Sequence, residues 1–452
     1  MELERKENKM GIMPVKRLII SMSLPMMISM LVQALYNVVD SIFVAQIEED
    51  ALTAVTLAFP MQNLMIAVAA GTGVGINALL SKSLGEKKYE KADAAANVAI
   101  LLSLLNYIVF MIIGLSLSEA FIRTQTSDPK IIAYGTTYLK ICCGMSFGVF
   151  FQITFERLLQ STGRTFYSMI SQLTGAVINI IMDPIMIFGL LGCPKMGVAG
   201  AAYATVLGQV IASGLGLFMN LKVNKDITLS VKGIMHPQRD VVRAVYAVGI
   251  PSILMMSIGS LMTYLMNLIL IVFSTTATAV FGVYFKLQSF FFMPVFGLNN
   301  GLIPVLAYNY GARNKDRIRQ ALRFSMQLAV IIMLAGTFVF EIMPGALLDM
   351  FNASAEMRKI GIPALRIICL SFPMAGFSIA MGSIFQAFSE SIYSLIISIG
   401  RQLVVLIPVA WLLSLTGNVN LVWWAFPIAE LVSLILSLFF FRRLYRRTVL
   451  SL

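Results

Sequence analysis

The sequence predicts an all-α polytopic membrane protein, with twelve transmembrane helices in two pseudo-symmetric six-helix lobes. Three observations carry that reading. Of 452 residues, 58% are hydrophobic and 12% charged, at a mean hydropathy of +0.84; a soluble domain carries about 25% charged residues. The apolar runs are long and uninterrupted. They therefore read as helices, which satisfy their own backbone in lipid, and not as the period-two strands of a barrel. Finally, the chain repeats itself at an offset of 226 residues.

Twelve spans fall near 18–46, 51–81, 92–118, 131–160, 163–191, 196–221, 242–273, 277–309, 319–343, 358–388, 390–415 and 419–441, each long enough to cross a hydrocarbon core. The segment from Met1 to Arg17 is polar and charged, so the first apolar run reads as a span and not as a cleavable signal peptide. The repeat pairs Pro25 with Pro251, Phe59 with Phe285, Gln62 with Gln288, Gly71 with Gly297, Gly75 with Gly301, Gly85 with Gly311, Gln160 with Gln386 and Tyr167 with Tyr393. Six spans per repeat is an even number, so both halves enter the membrane in the same sense and are related by an axis along its normal. The resulting units are an amino-terminal lobe over 1–221, a linker over 222–241 and a carboxy-terminal lobe over 242–452 with a basic tail.

Charge fixes the expected orientation. The amino-terminal arm (Arg5, Lys6, Lys9, Lys16, Arg17), the loops after spans two, four and eight, the linker and the tail hold 25 of the 34 Lys and Arg residues. The first loop on the other side reads Glu48-Glu49-Asp50. By the positive-inside rule both termini are cytoplasmic, in the cell membrane. The net charge of +12 is thus a topology signal, and no nucleic-acid partner is needed to explain it. The four cysteines have neither metal-site nor disulfide spacing.

Polar residues inside the spans are the candidate chemistry. In span one, Gln33, Tyr36, Asn37 and Asp40 recur at helical steps on one face. A carboxylate at mid-membrane costs about 2.5–3.5 kcal/mol on insertion scales, so Asp40 reads as functional. The second buried acid is Asp183 in span five, with Asn179 one turn before it. Pro184 follows, and its missing N–H leaves the Ile180 carbonyl without its helical partner. Counting residues from the outer loops puts Asp40, Asn179, Asp183 and Thr205 of span six at similar depth. The small residues Gly197, Gly200, Ala201 and Ala202 permit close approach of spans five and six. One oxygen-rich cluster in the outer half of the first lobe is expected, able to hold a proton or Na⁺. Its repeat positions are Met266 and Val409, so the second lobe lacks the acids.

Lys286 is mid-span in the second lobe and reads as a cavity residue or as the partner of an acid such as Glu430. Glu156 and Arg157 read as a local ion pair. Pro25 and Pro184 are candidate hinges.

The Leu24-Pro25 start, Tyr36-Asn37-Val38-Val39-Asp40, the Gly85 and Gly311 loops, Gln160, Asn179 to Asp183-Pro184, and Gly197 to Thr205 together resemble the MATE (multidrug and toxic compound extrusion) transporters, in their DinF-like and MepA-like branch. The resemblance covers essentially the whole chain. It implies a secondary active efflux antiporter that exports organic cations or amphiphiles in exchange for H⁺ or Na⁺, with Asp40, Asn179, Asp183 and Thr205 binding the coupling ion. Gln33, Tyr36, Asn37 and Lys286 are the expected substrate or cavity contacts. The expected partners are a small-molecule substrate and membrane lipid; no cofactor is expected, and the protein is expected to be a monomer. The alternative is a lipid-linked saccharide flippase of the same wider superfamily, for which an Arg-rich cavity and usually more spans are expected. No Ser–His pair, HExxH, Cys–His or nucleotide-binding Gly-x-x-x-x-Gly-Lys pattern supports an enzyme.

Overall fold

The computed structural model describes residues 7–452; Arg5 and Lys6 of the basic arm lie outside the described residues. Within them the chain is helical, with no strand. The first half contains α1 (Lys9–Ile12), α2 (Val15–Ala45), α3 (Glu49–Gly85), α4 (Tyr89–Arg123), α5 (Pro129–Gly144), α6 (Phe147–Ser161), α7 (Thr165–Phe188) and α8 (Val198–Lys222). A short α9 (Val231–Met235) lies in the connection. The second half contains α10 (Arg239–Leu270), α11 (Thr275–Gly311), α12 (Lys315–Ile342), α13 (Pro344–Asp349), α14 (Ala355–Ile368), α15 (Phe372–Ala387), α16 (Ser391–Ile399), α17 (Ile407–Ser414), α18 (Val419–Val422) and α19 (Ala425–Leu444).

Eleven helices among the described residues are long and apolar enough to cross a membrane; they count α14 with α15, α16 with α17, and α18 with α19 as one each. The pair α5 and α6, bent by 44° at Met145 and Ser146, makes the twelfth. Successive spans alternate in direction, so both termini lie on one face, here called the terminal face. Asp128 caps α5, its Oδ1 accepting the Lys130 N–H at 2.9 Å, and the Ser354 hydroxyl caps α14; each satisfies donors that a helix start leaves open. Pro25 lies inside α2 and Pro184 inside α7, and both helices continue without a break past them.

The halves meet through α2 against α11 and α3 against α10 and α11. The contact is closest near the terminal face, where the repeat glycines lie. A Cβ on Gly85 would sit 1.9 Å from the Tyr308 carbonyl oxygen, and one on Gly311 would sit 2.2 Å from the Lys82 carbonyl oxygen. These are the same crossing read from each half, since Lys82 and Tyr308 are themselves 226 apart. Every residue from Gly71 to Ser81 in α3 and from Gly301 to Asn309 in α11 is buried. A helix buried all round is packed on every side. Toward the opposite face both helices alternate buried with exposed positions. The halves are therefore sealed at the terminal face and part toward the other.

Candidate cation site

Three helices of the first half bring the polar residues together. On α7, Ser168, Ser171, Gly175, Asn179 and Asp183 are buried, three or four residues apart, so one stripe of the helix faces inward. On α8 the matching face is small: a Cβ on Gly200 would meet the Met186 carbonyl oxygen at 2.4 Å, and one on Gly208 the Gly175 carbonyl oxygen at 2.6 Å. That approach places Thr205 beside Asn179. The amide orientation that serves both neighbours points Asn179 Nδ2 at Asp183 Oδ2, 3.1 Å away, and leaves its oxygen to accept the Thr205 N–H at 3.0 Å.

Helix α2 supplies the third wall. Asp40 lies within hydrogen-bonding reach of Asp183. Two carboxylates that close do not both stay ionised unless a cation lies between them; otherwise they share a proton. Asp183 is fully buried, Asn179 and Thr205 nearly so, and Asp40 is half-buried. Asp40 Oδ1 and Asp183 Oδ1 are buried without a hydrogen-bond partner among the described residues. An unpaired buried acceptor carries its full desolvation cost. The donor set of two carboxylates, an amide and a hydroxyl suits a proton or a hard cation.

The expected cluster of Asp40, Asn179, Asp183 and Thr205 is thus brought together. Tyr36 joins it: its hydroxyl lies near Thr205 and both acids. Gln33 is half-buried and Asn37 exposed, and among the described residues no side-chain hydrogen bond ties either to the cluster. A neighbouring polar layer was missed by sequence reasoning. Tyr138 on α5 is buried, and Gln62 Nε2 of α3 lies 3.2 Å from its hydroxyl and 3.7 Å from Cys142 Sγ. The one-turn spacing of Tyr138 and Cys142 was a usable signal.

Two expectations need correction. Glu430 is not the partner of Lys286: Arg401 Nη1 donates to Glu430 Oε1 at 2.7 Å, because α16 and its π-helical extension over 400–406 present the guanidinium to α19. Lys286 is exposed, with Nζ 6.0 Å from the Phe351 ring centre. It lies eleven residues from Gly297, three helical turns, on nearly the same face, and Gly297 packs on Met27 of α2. Lys286 therefore lies on the side of α11 that turns toward α2. Glu156 and Arg157 do not form a local ion pair either. Adjacent helix positions diverge by about 100°. Glu156 accepts from Gln152 at 3.0 Å inside the first half, while Arg157 donates to Gln160 at 3.0 Å and crosses to Asn300 of α11 at 3.2 Å.

The family model MatE matches residues 25–185 and 251–412, once in each half. The multidrug export protein MepA of Staphylococcus haemolyticus is 26% identical over 418 residues, 92% of this chain and 91% of its own. A structure described as the outward-facing conformation of a multidrug resistance MATE family transporter of the MOP superfamily superposes with a TM-score of 0.92 at 27% identity, covering 97% of this chain and 98% of that one. A MOP superfamily transporter from Pyrococcus furiosus, described as having a binding pocket of reverse polarity that suggests a different function, superposes at 0.89 and 27% identity over 97% of this chain and 98% of that one.

Proposed function

The chain belongs to the MatE family of multidrug efflux transporters, and on that premise we propose that it is a secondary antiporter, exporting organic cations or amphiphiles in exchange for H⁺ or Na⁺. The observation that carries the reading is the meeting of Asp40 with Asp183 in the half that opens away from the termini. With the terminal face cytoplasmic, as the Lys and Arg distribution supports, the acids lie on the outer side. An entering cation gains about 2.3 kcal/mol per charge per 100 mV. Its binding neutralises the pair, draws α2 toward α7 and changes the cleft wall that α2 forms. Substrate leaves; rocking of the halves about the glycine crossing then exposes the cleft to the other side. Pro25 and Pro184 are the positions at which α2 and α7 yield.

The test is efflux of a fluorescent organic cation from reconstituted vesicles, with proton and sodium gradients imposed separately. Asp40→Asn is expected to abolish gradient-driven efflux while leaving substrate binding measurable. Undiminished driven efflux would overturn the assignment. One observation favours the second reading, a flippase of lipid-linked saccharides: Lys286 gives the opposite wall of the cleft a positive charge suited to a phosphate-bearing substrate. Failure of both gradients to drive transport supports that reading instead.

A further inference from the structure

A lateral groove of about 730 Å³ lies between α12, α15 and α19, walled by Leu328, Val330, Phe377 and Phe441 and bounded by Arg319 and Arg323. Its volume is that of pockets holding drug-sized ligands, about 300–1,000 Å³. It is far from Asp40 and Asp183, which lie in the other half.

The exposed stripe of α12 explains what the groove faces. Arg319, Arg323, Gln327 and Ile331 are exposed at four-residue steps, and Leu334, Phe338 and Ile342 continue the exposed face. The twenty residues from Arg323 to Ile342 rise about 30 Å, the thickness of a hydrocarbon core. Arg323 thus lies at the boundary of the leaflet on the terminal face, with Arg319 one turn beyond it at headgroup depth. The apolar part of the groove is then at acyl-chain depth. Arg319 Nε donates to the Tyr445 hydroxyl at 3.1 Å, which positions the guanidinium, and the side chain is exposed at the rim of the groove. Arg317 on the same helix is used internally, holding the carbonyls of Met10 and Met13 at 2.9 and 2.7 Å. The end of α19 and the turn after it add Arg442, Arg443, Arg446 and Arg447 to the same region.

We propose that this groove is a binding site for one anionic phospholipid, its phosphate held by Arg319 and Arg323 and an acyl chain laid against Phe377 and Phe441. Charge complementarity selects the occupant: guanidiniums pair with phosphate bidentately, and basic pockets between helices at this depth suit anionic headgroups.

The experiment is native mass spectrometry of the full chain in detergent with added dioleoyl phosphatidylglycerol or dioleoyl phosphatidylcholine. The wild type is expected to retain the glycerol lipid in preference to the choline lipid. The double variant R319A/R323A is expected to lose affinity about 30-fold, at ~1 kcal/mol per cationic residue near the surface. R313A removes an exposed cation outside the groove and is expected to change nothing. Val330→Trp fills the groove but keeps both arginines, and is expected to weaken retention as well. Equal retention of the two lipids, or equal loss in R313A, would reduce the effect to general basic charge and overturn the site. So would a dimer that Val330→Trp dissociates without any change in lipid retention, since the groove would then be a contact between copies.

Discussion

Asp183 and Glu430 are both buried acids in the fifth or sixth span of their halves, yet they are handled oppositely. Asp183 has an acid and an amide for neighbours and an unpartnered oxygen. Glu430 also has a buried unpartnered oxygen, Oε2, but its charge is compensated by Arg401, at positions whose repeat equivalents are Ala204 and Gly175. The second half therefore carries a built-in counter-ion, and the first half has none beside Asp183 among the described ion pairs. Glu430→Gln leaves Arg401 without its acid, and breaking such a pair costs about 3 kcal/mol or more. It is expected to lower the unfolding temperature of purified protein while the ratio of ions to substrate moved stays unchanged. Asp183→Asn is expected to do the reverse, because the amide removes a charge that no residue compensates. Thermal melts and flux ratios on the two variants separate these outcomes. Asp40, Asn179, Asp183 and Thr205 were legible in the sequence because depth follows from counting along helices that run nearly along the membrane normal. The Arg401–Glu430 pair, the place of Tyr36 and the Gln62–Tyr138 contact were not. They depend on how each helix is rotated about its axis, and periodicity along one helix does not report the rotation of its neighbour.

Helix α5 is fastened to the turn between α2 and α3 on the face opposite the termini. Lys130 Nζ donates to Glu48 Oε2 at 2.5 Å and lies 3.6 Å from Asp50, and the Tyr134 hydroxyl also donates to Glu48. The hydrogen bond from Lys130, then that from Tyr134, hold the Glu48 carboxyl below its usual range. A carboxylate whose folded value is depressed stabilises the fold above its unfolded value of 4.5, and that contribution is lost as pH falls through the lower, folded value. Melts of wild type between pH 3 and 6 are expected to decline more steeply with acid than those of Glu48→Gln, and identical slopes would exclude the fastening. The sequence marked this segment only as an acidic outer loop; its tie to Lys130 crosses 82 residues and has no local signature. The glycine crossing is the opposite case. Gly85 and Gly311 were visible as a repeat pair, and their role is the 1.9 and 2.2 Å approach to carbonyl oxygens. Gly85→Val is expected to force the terminal-face seal apart, at an overpacking cost of about 1–3 kcal/mol. In a chain with its four cysteines replaced, Ser23→Cys, buried against Gly301, then becomes reactive to a thiol reagent applied from the terminal face.

The two halves share a fold and differ in charge, and the cleft between them inherits the difference. In the proposed cleft one wall carries Asp40 backed by Asp183 and the other carries Lys286, which is exposed and has no acid paired to it among the described ion pairs. In the proposed cycle the ionised acids attract a cationic substrate and outweigh its repulsion by Lys286 until the coupling ion arrives. Then the acids are neutral, the repulsion is uncompensated, and release follows. On that proposal Lys286 sets the sign of the competition without touching the ion. At about 10 Å and an effective dielectric constant between 20 and 80, one charge contributes roughly 0.4–1.7 kcal/mol, or about two- to twentyfold in affinity. Lys286→Ala is expected to tighten the binding of a monovalent organic cation by that factor and to slow its gradient-driven release. Lys286→Gln is expected to match it, and Lys286→Arg to resemble the wild type. A phosphate-bearing amphiphile is expected to lose affinity in the first two variants. Binding of both substrate classes, measured by quenching of substrate fluorescence in the absence of any gradient, separates the electrostatic effect from the coupling step. Affinities unchanged for both classes would place Lys286 outside the field that the substrate feels.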